Sequence, residues 1–188
     1  MAQPTELRPV DAGAEYQTIR SLPRNEGKAH YYSLPDQAHK DVWTQHLVTF
    51  LKEHPELSED QRDVILQGIG LLATGILDIS DTDPRWRTEV GDPVARVVAR
   101  AKLLMSPELV AEAFYTLEGS RQQRPSPRRG DRKTPVTNGL VDCDCATMDS
   151  HCFWYDLVCT TGGPHFCIPL PSWKCGPFYT YMCDGRCL

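Results

Sequence analysis

All eight cysteines of the chain lie within its last 46 residues, and the first 142 residues contain none. From the first cysteine onward the spacing is C-x-C-x6-C-x6-C-x7-C-x7-C-x7-C-x3-C. A segment this short cannot bury enough apolar surface to fold unaided, so covalent or metal cross-links are the expected substitute. The spacing therefore predicts a cross-linked module over residues 140–188. Its cysteines are Cys143, Cys145, Cys152, Cys159, Cys167, Cys175, Cys183 and Cys187.

Three kinds of cross-link could stabilise this cysteine-rich module. Four disulfides would each contribute typically about 2–4 kcal/mol, although the sequence does not fix their pairing. Zinc is the alternative, since eight thiolates could complete two four-ligand sites, but zinc modules usually present C-x2-C pairs and the gaps here are mostly longer. Thioether rings would need one Ser or Thr per thiol, and residues 143–188 hold six. Disulfides are therefore predicted, in a module with little regular secondary structure.

Aromatic residues are concentrated in the same module. Some can pack against disulfides as a miniature core, and others can stay outside as a surface for a membrane interface or a receptor. Residues 136–188 carry a net charge of −3, which argues against an attack on anionic lipid and favours a specific receptor or a zwitterionic target. The candidate target-contact residues are Trp154, Tyr155, Trp173, Tyr179 and Tyr181.

The helical body, residues 1–118, is predicted to be a small all-α bundle. Apolar residues recur with helical spacing in four segments, which predicts four helices with short connections. Ser58 and Gln61 form a capping-box pattern at the start of one helix, and Pro35 is expected in the first turn of another, capped by Ser33. Ser106, followed by a proline, is expected to open the last helix.

The body offers no recognisable chemistry. The sequence contains no GxSxG, P-loop or HExxH motif, and its histidines lack the spacing of metal ligands. His46 lies on an apolar stripe, where packing is the simpler explanation than catalysis. We therefore predict a protein that is not an enzyme and that has no catalytic residue, no cofactor and no metal site.

Residues 119–139 are predicted to form a disordered basic linker. The stretch is rich in Gly, Ser, Pro and Arg, and residues 119–135 carry a net charge of +5 between a body of −7 and a mildly acidic module. Two pairs of basic residues are candidate processing sites, since proteases need exposed, disordered chain. An inert tether is the alternative, whereas nucleic-acid binding is not expected, because aromatics are absent from the linker and the body is acidic. The first pair is Arg128 and Arg129, and the second is Arg132 and Lys133.

The first residues read MAQPTELRPVDAGAEY and lack the basic start and apolar run of a secretory signal. A cysteine content this high is nevertheless typical of extracellular proteins. Export of a precursor by a dedicated route reconciles the two observations. We expect a precursor made in the cytoplasm without a recognisable signal peptide, and a mature module that is secreted.

Three features of the module form a specific pattern: the opening Cys143-Asp144-Cys145, the six-residue gap to Cys152, and the run Cys159-Thr160-Thr161-Gly162. In these features the module resembles the fulvocin C-related bacteriocins. Residues 34–51 and 57–61 are also similar to the N-terminal region of that family's precursors, so the resemblance extends over most of the chain. It implies a toxin peptide that acts on competing bacteria and is made as a longer precursor.

The sequence thus favours a bacteriocin precursor, in which a helical leader carries a disulfide-rich antibacterial peptide. Its expected partners are the envelope or a receptor of the target cell and an export and processing machinery, and nucleic acid is not among them. The alternative is an intracellular zinc-binding or regulatory protein that uses the eight cysteines as ligands.

Overall fold

A computed structural model describes residues 10–117, 141–142, 159–160, 167–168, 174–182 and 186–187. Six α-helices lie in the first of these ranges, together with a π-helical turn, Arg87–Gly91, directly before the fifth helix. The helices are α1 (Ala12–Ser21), α2 (Arg24–Ser33), α3 (Asp36–Glu53), α4 (Glu59–Ala73), α5 (Asp92–Leu104) and α6 (Pro107–Phe114). The prediction of an all-α body is confirmed, and the predicted number of helices is corrected from four to six.

Local sequence signals explain most of the helix ends. The Ser58 side chain accepts a hydrogen bond from the Gln61 amide, and the Gln61 side chain accepts one from the Ser58 amide, so the predicted capping box is present at the start of α4. The Ser106 hydroxyl likewise caps α6. The predicted cap of α3 is wrong: Pro35 itself is the N-cap, and the Ser33 hydroxyl donates to the His30 carbonyl at the end of α2.

The core of the body is centred on α3, which packs against α1, α4 and α6. Fully buried side chains from α3, α4 and α6 meet there, and α5 closes the bundle against α4. The largest of these side chains are Trp43, Leu47, Ile65, Leu72 and Phe114. No helix among the described residues is long and apolar enough to cross a membrane.

Six strands of two residues each are described after the helices. The strands are β1 (Val141–Asp142), β2 (Cys159–Thr160), β3 (Cys167–Ile168), β4 (Lys174–Cys175), β5 (Tyr181–Met182) and β6 (Arg186–Cys187). Strands β1 and β3 pair in parallel, whereas β2 and β6, and β4 and β5, pair antiparallel. The predicted domain boundaries on either side of the linker lie outside the described residues and stay predictions.

The segment 174–181, here called the aromatic tip, packs into the core of the body. Cys175, Phe178, Tyr179 and Tyr181 belong to the same cluster of buried residues as the side chains of α3, α4 and α6. The end of the cysteine-rich module is thus in direct contact with the body, an arrangement that the sequence did not predict.

Candidate functional site

The aromatic tip is a short hairpin. Strands β4 and β5 pair so that Cys175 lies opposite Tyr181. Between them, the Tyr179 amide donates to the Gly176 carbonyl over 3.2 Å, and the Thr180 amide donates to the Pro177 carbonyl over 3.1 Å. These bonds close a tight turn, and its end carries the side chains of Phe178 and Tyr179.

The backbone of this turn adopts conformations that L-residues rarely take. Gly176 has φ 71°, and Phe178 and Tyr179 have φ 53° and 55°. A Cβ atom on Gly176 would lie 2.7 Å from Cδ2 of Tyr181, so only glycine fits there. Bulky residues in the left-handed region cost about 1–3 kcal/mol each and persist where their surroundings fix them. The contacts of the two rings with the body provide such surroundings.

Phe178 occupies the deepest position and is fully buried. Its ring stands edge-on to Trp43 of α3 and to Phe114 of α6, with centroid distances of 5.4 and 5.5 Å. Edge-on pairs at this distance are favourable beyond the area that they bury. Gly68 of α4 forms the floor of the pocket, since a Cβ atom there would lie 3.3 Å from Cζ of Phe178 and 3.1 Å from Cε1 of Phe114.

Tyr179 lies beside Phe178, over the junction of α2 and α3. Its ring meets Tyr31 and Trp43 edge-on, with centroid distances of 5.5 and 5.2 Å. The ammonium of Lys28 lies 4.9 Å from the centroid of the same ring, and Lys28 is itself only 8% exposed. A cation over an aromatic face is attracted by the ring, more strongly where water is excluded. Lys28 therefore recognises the Tyr179 ring from inside the body.

Tyr181 contacts the body at the π-helical turn. Its ring stands edge-on to Trp86, with centroids 5.1 Å apart, and its hydroxyl donates over 3.5 Å to the Gly91 carbonyl. Gly91 is required by the neighbouring indole, because a Cβ atom there would lie 2.8 Å from Cζ3 of Trp86. Short π-helical segments are often found at functional sites, and this one forms the seat of Tyr181.

Polar contacts with the body hold Lys174, the first residue of the aromatic tip. The Tyr32 hydroxyl accepts a hydrogen bond from the Lys174 amide over 2.7 Å and donates to the Lys174 carbonyl over 3.1 Å. The Lys174 ammonium lies 2.6 Å from Oδ2 of Asp81. The Tyr32 hydroxyl thus bonds to both the amide and the carbonyl of Lys174, and the Asp81 carboxylate pairs with the Lys174 ammonium.

Of the eight cysteines predicted to form disulfides, Cys175 is the one whose side chain lies in the described part of the chain. It is buried and disulfide-bonded, and Nζ of Lys28 lies 3.8 Å from its Sγ. The identity of its partner and the disulfides predicted for the remaining cysteines stay predictions. No group of three or more His, Cys, Asp or Glu side chains within the described part of the chain is arranged to hold a metal ion.

Two buried histidines pack against Trp43 and Tyr31, two residues that contact the aromatic tip. His46 packs edge-on against Trp43; its Nδ1 accepts from the Tyr16 hydroxyl over 3.0 Å, and its Nε2 donates to the Glu112 carbonyl over 2.9 Å. Burial lowers the pKa of His46 to about 4 and raises the pKa of Tyr16 to about 12. His39 stacks on Tyr31, and burial lowers its pKa. Both rings are held in the neutral form that a packed interior favours.

The structure places the predicted target-contact residues in two groups. Tyr179 and Tyr181, at 7% and 6% exposure, are buried against the body and are not open to a target in this form. Trp154, Tyr155 and Trp173 lie outside the described residues, as do the candidate processing residues Arg128, Arg129, Arg132 and Lys133.

The residues that bind the tip were not identified from the sequence. The sequence predicted that the apolar stripe with His46 is packed, and Trp43 lies buried on the same helix. Lys28, Tyr31 and Tyr32 belong to α2, a helix that the apolar pattern did not reveal. The signal that could have found them is the aromatic pair Tyr31-Tyr32 close to Lys28, opposite an unusually aromatic C-terminal segment.

Comparisons of the chain with protein-family models, with curated protein sequences and with solved structures give no match.

Proposed function

We propose that the chain is a bacteriocin precursor in which the helical body shields the aromatic tip of the cysteine-rich module until the module is released. The observation that carries the proposal is the burial of Phe178, Tyr179 and Tyr181 among the helices of the body. A leader that only addressed a peptide for export would not need to enclose the peptide's own aromatic side chains.

The physical advantage of shielding follows from the chemistry of these side chains. Burial of a large apolar side chain contributes about 1.5–3 kcal/mol relative to leaving it in water. Exposed together, two tyrosines and a phenylalanine would form a patch suited to a membrane interface or a receptor pocket. Enclosure by the body would keep that patch from engaging the producing cell.

The proposal assigns the remaining parts of the chain as follows. The basic linker is the segment that is cut, the mature module is secreted, and the disulfides of the module keep it folded after release. Its partners are the export and processing machinery and then the envelope or a receptor of the competing cell. The proposal includes no catalytic residue, cofactor, metal or nucleic acid.

The experiment combines processing and killing. The producing strain would carry either the native chain or a variant with both basic pairs replaced by serine, at Arg128, Arg129, Arg132 and Lys133. Mass spectrometry of the culture fluid should detect a disulfide-bonded fragment that begins after a basic pair, between residues 130 and 143, and the fluid should inhibit related bacteria. The paired variant should lose both signals.

A matched control replaces Arg121 and Arg124 with serine, which removes two charges from the same linker but leaves both pairs intact. This control should be processed like the native chain. Recovery of the full-length protein inside the cell with eight free thiols, or with about two bound zinc ions, would contradict the proposal and favour the zinc-binding alternative.

A further inference from the structure

After a cut in the linker, no covalent bond can join the body to the module. The body contains no cysteine, so the disulfide of Cys175 must be formed with another cysteine of residues 143–188. Among the described residues, the two parts are held together by the noncovalent contacts around the aromatic tip.

We infer that the body is a binding protein for the aromatic tip and retains the module as a two-chain complex after the linker has been cut. Three aromatic side chains from the tip fill three separate seats: Phe178 above Gly68, Tyr179 beside Lys28, and Tyr181 against Trp86. Buried aromatic anchors in fitted pockets are the contacts that dominate the affinity of protein interfaces.

The association does not depend on a general attraction of charge. The body carries a net charge of −7, whereas residues 128–188 hold six basic and six acidic residues, so the module with its part of the linker has no net charge. Burial of the aromatic rings must therefore provide most of the binding energy. High salt, which screens charge interactions, should leave the complex intact.

The polar contacts give the site its specificity. The Tyr32 hydroxyl pairs with both backbone groups of Lys174, Asp81 pairs with the Lys174 ammonium, and Lys28 faces the Tyr179 ring. Together they require a ligand in which a cationic residue precedes two consecutive aromatic residues by four and five positions. The cationic residue must lie in an extended strand that leads into a left-handed turn. The occupant that meets these requirements is the chain's own segment 174–181.

The test begins with the full-length chain. Residues 121–127 would be replaced by the recognition sequence of a site-specific protease, and the body would carry an N-terminal affinity tag. After complete cleavage, verified on a denaturing gel, the two fragments should elute together from a size-exclusion column at low and at high salt. They should separate in denaturing urea. Separate elution in native buffer would overturn the inference.

Two conservative variants test whether retention uses the contacts seen in the structure. Tyr32→Phe removes both hydrogen bonds to the Lys174 backbone and should speed release of the module from immobilised body about tenfold. Asp81→Asn removes the ion pair with Lys174 and should speed release about two- to fivefold. Unchanged release rates in both variants would show that the tip is not bound as described.

The matched control for Asp81 is Asp83→Asn. Asp83 lies in the same loop, but its carboxylate pairs with Arg85 of the body, 2.9 Å away. This variant should release the module at the native rate. Thermal unfolding of each uncut variant checks that the body is still folded.

The inference does not rest on the proposed function, and the two fail separately. Retention of a module that kills no bacterium even after it has been separated from the body would support the inference and count against the bacteriocin proposal. A module that kills bacteria but leaves the body at once after cleavage would do the reverse.

Discussion

The ring of Phe178 stands edge-on to the indole of Trp43, with their centroids 5.4 Å apart and their planes at 83°. Trp43 is central to α3, whereas Phe178 lies near the end of the chain, beyond the predicted linker. Both side chains are fully buried. The contact makes the stability of the body depend on a residue of the cysteine-rich module, a dependence that mutagenesis can measure.

Truncation of Phe178 should destabilise the whole body. Phe178→Ala removes a fully buried ring and leaves a cavity lined by Trp43 and Phe114, a change that typically costs about 3–5 kcal/mol. Urea unfolding followed by helical circular dichroism would measure the loss, because the helices belong to the body. Leu103→Ala is the control: Leu103 is 86% exposed on α5, so its truncation should change the free energy of unfolding by less than about 0.5 kcal/mol. Equal effects of the two variants would contradict the buried position of Phe178.

Two glycines of α4 should respond oppositely to substitution. A Cβ atom on Gly70 meets nothing within 4 Å, so Gly70→Ala should stabilise the helix by about 0.5–1 kcal/mol. Gly68 instead forms the floor beneath Phe178, and a Cβ atom there falls within 3.1–3.3 Å of three side chains. Gly68→Leu should therefore cost about 1–3 kcal/mol through overpacking. Equilibrium unfolding of both variants compares them directly, and a stabilised Gly68→Leu variant would show that the pocket is empty.

A further glycine substitution tests the strained turn of the tip. Gly176→Ala places a Cβ atom at φ 71° and 2.7 Å from Tyr181, so we expect a loss of about 1–3 kcal/mol and faster release of the module from the cut complex. Gly75→Ala is its match in the body, with φ 82°. Gly75→Ala should lower the thermal midpoint but leave the release rate at the native value. If both variants release the module equally fast, the effect of Gly176 is one of general stability alone.

The helices that the sequence revealed are those with local signals. Ser58 and Gln61 mark the start of α4 through their own side-chain geometry, and the apolar spacing around Trp43 marks α3. Helices α1 and α2 carry few buried residues, such as Tyr16, Ile19 and Tyr31, so their apolar periodicity was too sparse to detect. Short helices of this kind are stabilised by tertiary packing more than by propensity.

The candidate site itself could not be derived from periodicity. An apolar stripe shows which face of a helix is buried, but it does not say what covers that face. The stripe of α3 was assigned to a core, and the aromatic side chains of the module were divided between a miniature core and an exposed surface. The structure provides a third arrangement, in which Phe178 and Tyr179 complete the core of the body. Long-range contacts of this kind depend on the shape of both parts.

Acidification should lower the free energy of unfolding of the body, because the buried His46 resists protonation. The pKa of its buried ring is about 4 in the folded chain, whereas an exposed histidine titrates near 6.5. Between these values the unfolded chain binds the proton and the folded chain does not, so the free energy of unfolding should fall as the pH drops from about 7 to about 4. A difference of this size amounts to about 3 kcal/mol for this one group. His46→Gln keeps a donor for the Glu112 carbonyl but cannot titrate, so urea unfolding at a series of pH values should give a shallower decline. The same decline in both proteins would assign the pH dependence to other groups.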